Sequence, residues 1–133
     1  MSKLVFMSQA HVARMNELLA ADAASRAACA GLAHRWDMVY ELQHGTHTVW
    51  WTMSFDPAYG VSFSLEAPRR AAQILFRGEY KAMLDWMRLR KAGGGETPEP
   101  VTMSGDSGGM SIIGPAYQAA AQAATLDTEI PQV

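Results

Sequence analysis

Between Trp36 and Glu66 the chain alternates, and that alternation constrains the fold more than any other feature. Met38, Tyr40 and Leu42 are separated by Val39, Glu41 and Gln43, with Val39 the one apolar residue out of phase. After the turn His44-Gly45-Thr46, Val49, Trp51, Met53 and Phe55 alternate with Trp50, Thr52 and Ser54. After Asp56-Pro57-Ala58, Val61, Phe63 and Leu65 alternate with Ser62, Ser64 and Glu66. A period of two sends successive side chains to opposite faces of a strand, so each run has one apolar and one mainly polar face. Short turns join antiparallel neighbours, which predicts a three-stranded meander. The expected inner face is Met38, Tyr40, Leu42, Val49, Trp51, Met53, Val61, Phe63 and Leu65. A one-residue slip would exchange the faces, so Trp51 facing the helices in place of Trp50 is the check on register. Val39 and Trp50 on the other face point to a second covered surface.

Helices are expected on either side of the meander. Ser8 can cap a first helix whose Val12, Met15, Leu18 and Leu19 form one stripe. Asp22 can cap a second, rich in Ala and containing Cys29, with Gly31 as its stop. Pro68 ends the meander. The segment Ala72–Gly78 fits either a helix begun at Pro68 or a fourth strand. Glu79–Lys91 is predicted helical, with Tyr80, Met83, Leu84 and Met87 on one face. Gly and Pro make Ala92–Pro100 a loop, and Val101–Gly105 a short last strand. Asp106–Gly109 reads as a turn. Ile112, Ile113, Ala116, Tyr117 and Ala120 then follow helical spacing, with Pro115 either kinking that helix or opening it. Residues from about Leu126 are expected to fray. The whole of 1–133 reads as one domain with its core at about 8–125.

Composition narrows the function. With 49% hydrophobic and 18% charged residues, the chain is not disordered. A net charge of −2 and only short basic clusters, Arg69-Arg70 and Arg88–Lys91, argue against nucleic acid. The few apolar residues near Met1 are too short for a secretory segment, and no run approaches the ~20 needed to span a bilayer. A cytoplasmic location is expected. Cys29 has no second cysteine and is expected to be packed, not nucleophilic. Gly93-Gly94-Gly95 lacks the Lys-Ser/Thr ending of a phosphate loop, and no Gly-x-Ser-x-Gly elbow occurs. Glu41, His44 and His47 could be drawn as a metal site, but histidines at a hairpin end are more often turn residues. His11 and His34 read as polar surface residues. Asp37, Asp56, Glu66 and Asp85 are candidate general bases that nothing in the sequence brings together. Asp56 suits a turn, and Asp85 an ion pair with Lys81 or Arg88. No catalytic residue, metal or cofactor is expected. Nine Met and four Trp stand out instead, as adaptable apolar surface.

Arg70-Ala-Ala-Gln-Ile-Leu-Phe-Arg-Gly-Glu-Tyr-Lys-Ala-Met-Leu-Asp-Trp-Met87, followed by Met103-Ser104-Gly105-Asp106, resembles the strand, helix and Gly-Asp strand end of the sterol carrier protein type 2 family. Met15-Asn16-Glu17-Leu18-Leu19 and the Ala-rich stretch after it resemble the family's helical entry. The resemblance spans about residues 8–125. It departs at Gly93–Pro100, where the family often opens its last strand with Gly-Lys, and at Ala72 or Gln73, where the family has Asp. It implies an α+β fold with a five-stranded, mainly antiparallel sheet, helices on one face and a hydrophobic tunnel between the layers. It makes Ala72–Arg77 a strand. It also implies an apolar ligand, a sterol, fatty acid or fatty acyl-CoA, with the C-terminal helix covering part of the tunnel.

The expected site is a cavity between the inner sheet face and the Tyr80–Met87 and Ile112–Ala120 helices. Trp51, Met53, Phe63, Met83, Met87, Met103, Ile113 and Tyr117 are its expected lining, from strand alternation and helical i, i+4 spacing. Tyr40 or Tyr117 offers a polar handle for a hydroxyl or carboxylate head, and Gly93–Gly95 a gate. Two other readings remain: an interaction module with a filled core, and a small cavity enzyme of cyclase or isomerase type.

Overall fold

The computed structural model describes residues 3–94 and 98–132. Among them the elements run β1 (Leu4–Val5), α1 (Gln9–Ala20), α2 (Ala23–Ala30), β2 (Trp36–His44), β3 (His47–Asp56), β4 (Gly60–Ser64), β5 (Ile74–Glu79), α3 (Tyr80–Lys91), β6 (Val101–Gly105), α4 (Gly109–Ala123) and β7 (Thr128–Glu129). The architecture is α+β, with a five-stranded mixed sheet in the order β4-β3-β2-β5-β6.

The meander forms in the expected register. Met38 pairs with Met53, Tyr40 with Trp51 and Leu42 with Val49, and Met53 pairs in turn with Phe63. Trp51, not Trp50, is on the helical side. Leu65 lies one residue beyond β4 but still packs with the inner-face residues. Ser8 caps α1 by accepting from the His11 N–H, Asp22 caps α2 by accepting from the Ser25 N–H, and Gly31 ends α2. Asn16 on α1 both donates to the Phe63 carbonyl (3.0 Å) and accepts from its N–H (2.8 Å). It thereby occupies backbone groups on the free edge of β4 that would otherwise invite another strand.

The Ala72–Gly78 segment is a strand, though it begins at Ile74 and runs parallel to β2. To reach that position, residues 65–73 must cross the outer face of β3 and β2. Thr52 Oγ1 donates to the Glu66 carbonyl beneath this crossover. Val39, opposite Thr52, is fully buried there, which explains the apolar residue out of phase. Gln73 donates to the Arg35 carbonyl and accepts from the Asp37 N–H, joining β5 to the start of β2. Gly105 turns the chain off β6 at φ +94°, and a Cβ there would stand 2.2 Å from the Gln73 carbonyl. Only glycine suits that position.

Helix α4 starts at Gly109, so of its two expected places Pro115 takes the one inside the helix. The tail beyond Leu126, expected to fray, carries β7, which pairs parallel with β1, and the Phe6 N–H donates to the Glu129 carbonyl. Strands of two residues leave no periodicity to read. No helix among the described residues is long and apolar enough to cross a membrane.

Candidate functional site

One end of the space between sheet and helices is filled. There Trp36, Phe55, Val61, Ile74 and Ile113 form a filled core with Leu19 and Cys29. Burial pushes the Cys29 thiol up, which keeps it protonated and unreactive. At the other end the layers separate around a cavity of about 680 Å³. Its floor is Met38, Tyr40, Leu42, Trp51, Met53 and Phe63, and its walls come from α1, α3, α4 and both terminal segments.

Of the expected lining, Trp51, Met53, Phe63, Met83, Met87 and Tyr117 stand around this cavity. Met103 and Ile113 do not. Met103 is on the inner side, cross-strand from Phe76, but β6 is the sheet edge and the side chain is 37% exposed. Ile113 shares a helical stripe with Tyr117, yet α4 runs from the filled end to the hollow one, so Ile113 is fully buried in the core. Gly93, at φ +89°, and Gly94, whose N–H donates to Leu89, close the end of α3. Gly95, the rest of the expected gate, lies outside the described residues.

Tyr40, one of the two expected polar handles, has a partner that was not visible in the sequence. Its hydroxyl donates to Glu99 Oε1 at 2.7 Å, and Glu99 also lines the cavity. Burial, then Glu99, raises the Tyr40 pKa well above the usual tyrosine value. Tyr117 is raised by burial and then by the charge on Glu99. Both phenols therefore stay protonated across the physiological range.

His11 corrects another expectation, since it is 5% exposed and lines the cavity. Its Nδ1 accepts from the Met7 N–H at 3.1 Å, which assigns the proton to Nε2. Its ring stacks on Trp51 at 5.7 Å, and burial lowers its pKa from 6.5, leaving it neutral near pH 7. The bond also holds Met7 at φ +61°, a conformation L side chains rarely adopt. The signal was present in part, since His11 stands four residues before Met15 on the α1 stripe.

Leu126, Thr128 and Ile130 of the tail complete the wall. Asp127 pairs with Lys3 and Lys91, each at 3.1 Å, and these hold its carboxyl below the usual range. Lys91 and Arg88 also donate to the Thr128 and Pro131 carbonyls. Arg90 lines the cavity with its guanidinium 5.0 Å from the Trp86 ring centre.

The candidate bases stand elsewhere. Asp37 is buried on the outer sheet face, bonded to Arg35 and Ser54. Asp56 accepts from the Ala58 and Tyr59 N–H groups in its turn. Glu66 is on the crossover, and Asp85 pairs with Lys81 and Arg88 on exposed α3. Glu41 bonds Arg77 on the outer face, whereas His44 lies beside Tyr80. Those residues do not converge, and no metal-binding cluster occurs among the described residues.

No family model matches this chain, and no curated protein matches it. Solved structures do. A conserved hypothetical protein of Thermus thermophilus, titled a possible sterol carrier protein, superposes with a TM-score of 0.54 at 12% identity, covering 93% of this chain and 90% of that one. The ubiquinone synthesis protein UbiJ-SCP2 gives 0.48 at 14% identity, covering 84% and 90%. A sterol carrier protein 2 gives 0.47 at 11% identity, covering 90% and 94%. The Thermus likeness extends over nearly the whole of both chains and agrees with the α+β layering, so this chain shares the fold of that possible sterol carrier protein.

Proposed function

We propose that this protein is a small lipid-binding or carrier domain. It holds an apolar ligand, of the sterol, fatty acid or fatty acyl-CoA class, in a hydrophobic tunnel between sheet and helices. It works in the cytoplasm and catalyses no reaction. The observation that carries this reading is the cavity of about 680 Å³ behind the apolar face of the sheet. That volume is within the range of ordinary ligand pockets. Burying a chain there is worth about 0.8 kcal/mol per methylene, which gives affinity without catalytic machinery. A module with a filled core has no use for such a space. A cavity enzyme needs a free base in the pocket; among the described residues the carboxylate lining it, Glu99, accepts from Tyr40, and His11 Nδ1 accepts from the Met7 N–H.

Native mass spectrometry of the purified protein, followed by titration with a fluorescent lipid whose head is a hydroxyl, tests the reading. A co-purifying lipid or saturable binding is expected, with binding weakened by Ala124→Trp, which fills the cavity wall. A protein that is empty and also rejects the probe would overturn it.

A further inference from the structure

The polar end of the cavity carries information about the ligand's head. Tyr40 spends its only proton on Glu99 Oε1, so the pair presents acceptors: the second oxygen of Glu99 and the lone pairs of the Tyr40 oxygen. Tyr117, on the opposite wall, is near enough to Glu99 to feel its charge. From this geometry we infer that Glu99, held by Tyr40, is a specificity-determining residue that selects ligands whose apolar body ends in a hydrogen-bond donor, an amine or a hydroxyl, and disfavours a free carboxylate. The inference rests on the lipid-binding reading and narrows it.

The physical reason is charge and hydrogen-bond polarity. A donor head placed at Glu99 makes a charge-assisted hydrogen bond, which in a cavity of low dielectric is stronger than its counterpart in water. A carboxylate head there meets a like charge and finds no donor on Tyr40. Among the described residues the cations that line the same cavity are Arg90 and Lys91, and its neutral donors are the Tyr117 hydroxyl and His11 Nε2–H. Lys91 is already engaged by Asp127 and the Thr128 carbonyl, and Arg90 lies over Trp86. Arg90 is the alternative seat for an acid, which is why an acid belongs in the test.

Hexadecylamine, hexadecanol and hexadecanoate, each below its micelle concentration, are to be titrated against a bound fluorescent probe. The wild type is expected to bind the amine and the alcohol at least about tenfold more tightly than the acid. Glu99→Gln keeps an oxygen to accept from Tyr40 while removing the charge, and is expected to shrink the preference for the amine over the acid by about tenfold. Arg90→Gln is expected to leave the order unchanged. An acid that binds as well as the amine and the alcohol, or an order that Glu99→Gln does not change, overturns this inference while leaving the carrier reading intact. Failure of all three ligands to bind overturns both.

Discussion

The two ends of the layer between sheet and helices are built from similar residues and differ in what they enclose. At the filled end, α4 brings Gly109 so close to Trp36 that an added Cβ would stand 2.3 Å from the ring. Ile113 and Ala116 continue that contact. Further along the same helix, Tyr117, Ala120, Ala121 and Ala124 face the cavity. Small and apolar side chains occur at both ends, so residue type alone does not decide between core and cavity. The spacing of the layers does. The filled end closes on α2 and α4, with Ser25 and Cys29 of α2 fully buried. At the hollow end, α1, α3 and the paired termini stand around the rim. An apolar wall without partner atoms forgoes dispersion contacts, and a bound ligand would restore them.

The largest test of this contrast compares two phenylalanines. Phe55 is fully buried in the filled end, and Phe55→Ala is expected to cost about 3–5 kcal/mol in urea unfolding. Phe63 lines the cavity and touches Trp51 at a ring separation of 5.1 Å. Phe63→Ala is expected to cost less than about 2 kcal/mol while changing probe affinity. Equal losses would mean that the hollow end is packed like the other.

Gly109→Ala is the next largest. Alanine ordinarily favours a helix over glycine by up to about 1 kcal/mol. Here the clash with Trp36 should reverse the sign, lowering stability by about 1–3 kcal/mol, as read by thermal and urea unfolding. A stabilised variant would show that the filled end has slack.

His11 gives the hollow end a pH signature. Its folded pKa is lowered from 6.5, so the unfolded state takes up a proton that the folded state refuses as pH falls below that value. Unfolded chains then bind more protons, and stability falls as pH drops from about 7 through the window between the two pKa values. His11→Gln should flatten that slope in unfolding measured from neutral pH downward. A slope unchanged in the variant would assign it to other groups. Asp127 acts separately: its carboxyl is depressed, so its contribution is present above 3.8 and is lost only as pH falls through its lower folded value.

The smallest effect is expected at the rim. Asp127→Asn removes the charge between Lys3 and Lys91, both exposed. Global Tm should barely move. Hydrogen exchange at the Phe6 amide, which is bonded to Glu129, should quicken, and more so at low salt. A large fall in Tm would mean that the tail supports the whole fold and not the cavity rim alone.

Local chemistry determined the pieces of this protein. The meander and its inner face followed from alternation, because neighbouring side chains of a strand have nowhere to go but opposite faces. Ser8, Asp22 and Gly31 marked helix ends because the first N–H groups and last carbonyls of a helix need partners outside it. Tertiary structure alone decided how the pieces were spaced. The crossover that buries Val39 and sets β5 parallel to β2, and the pairing of β1 with β7, are long-range contacts with no local signature. Glu99 reaches Tyr40 across 59 positions from a loop without periodicity. Ile113 entered the core while Tyr117 reached the cavity, although they share one stripe. A stripe fixes a side chain's direction, but only the distance to the facing layer decides whether that direction ends in packed atoms or in open space.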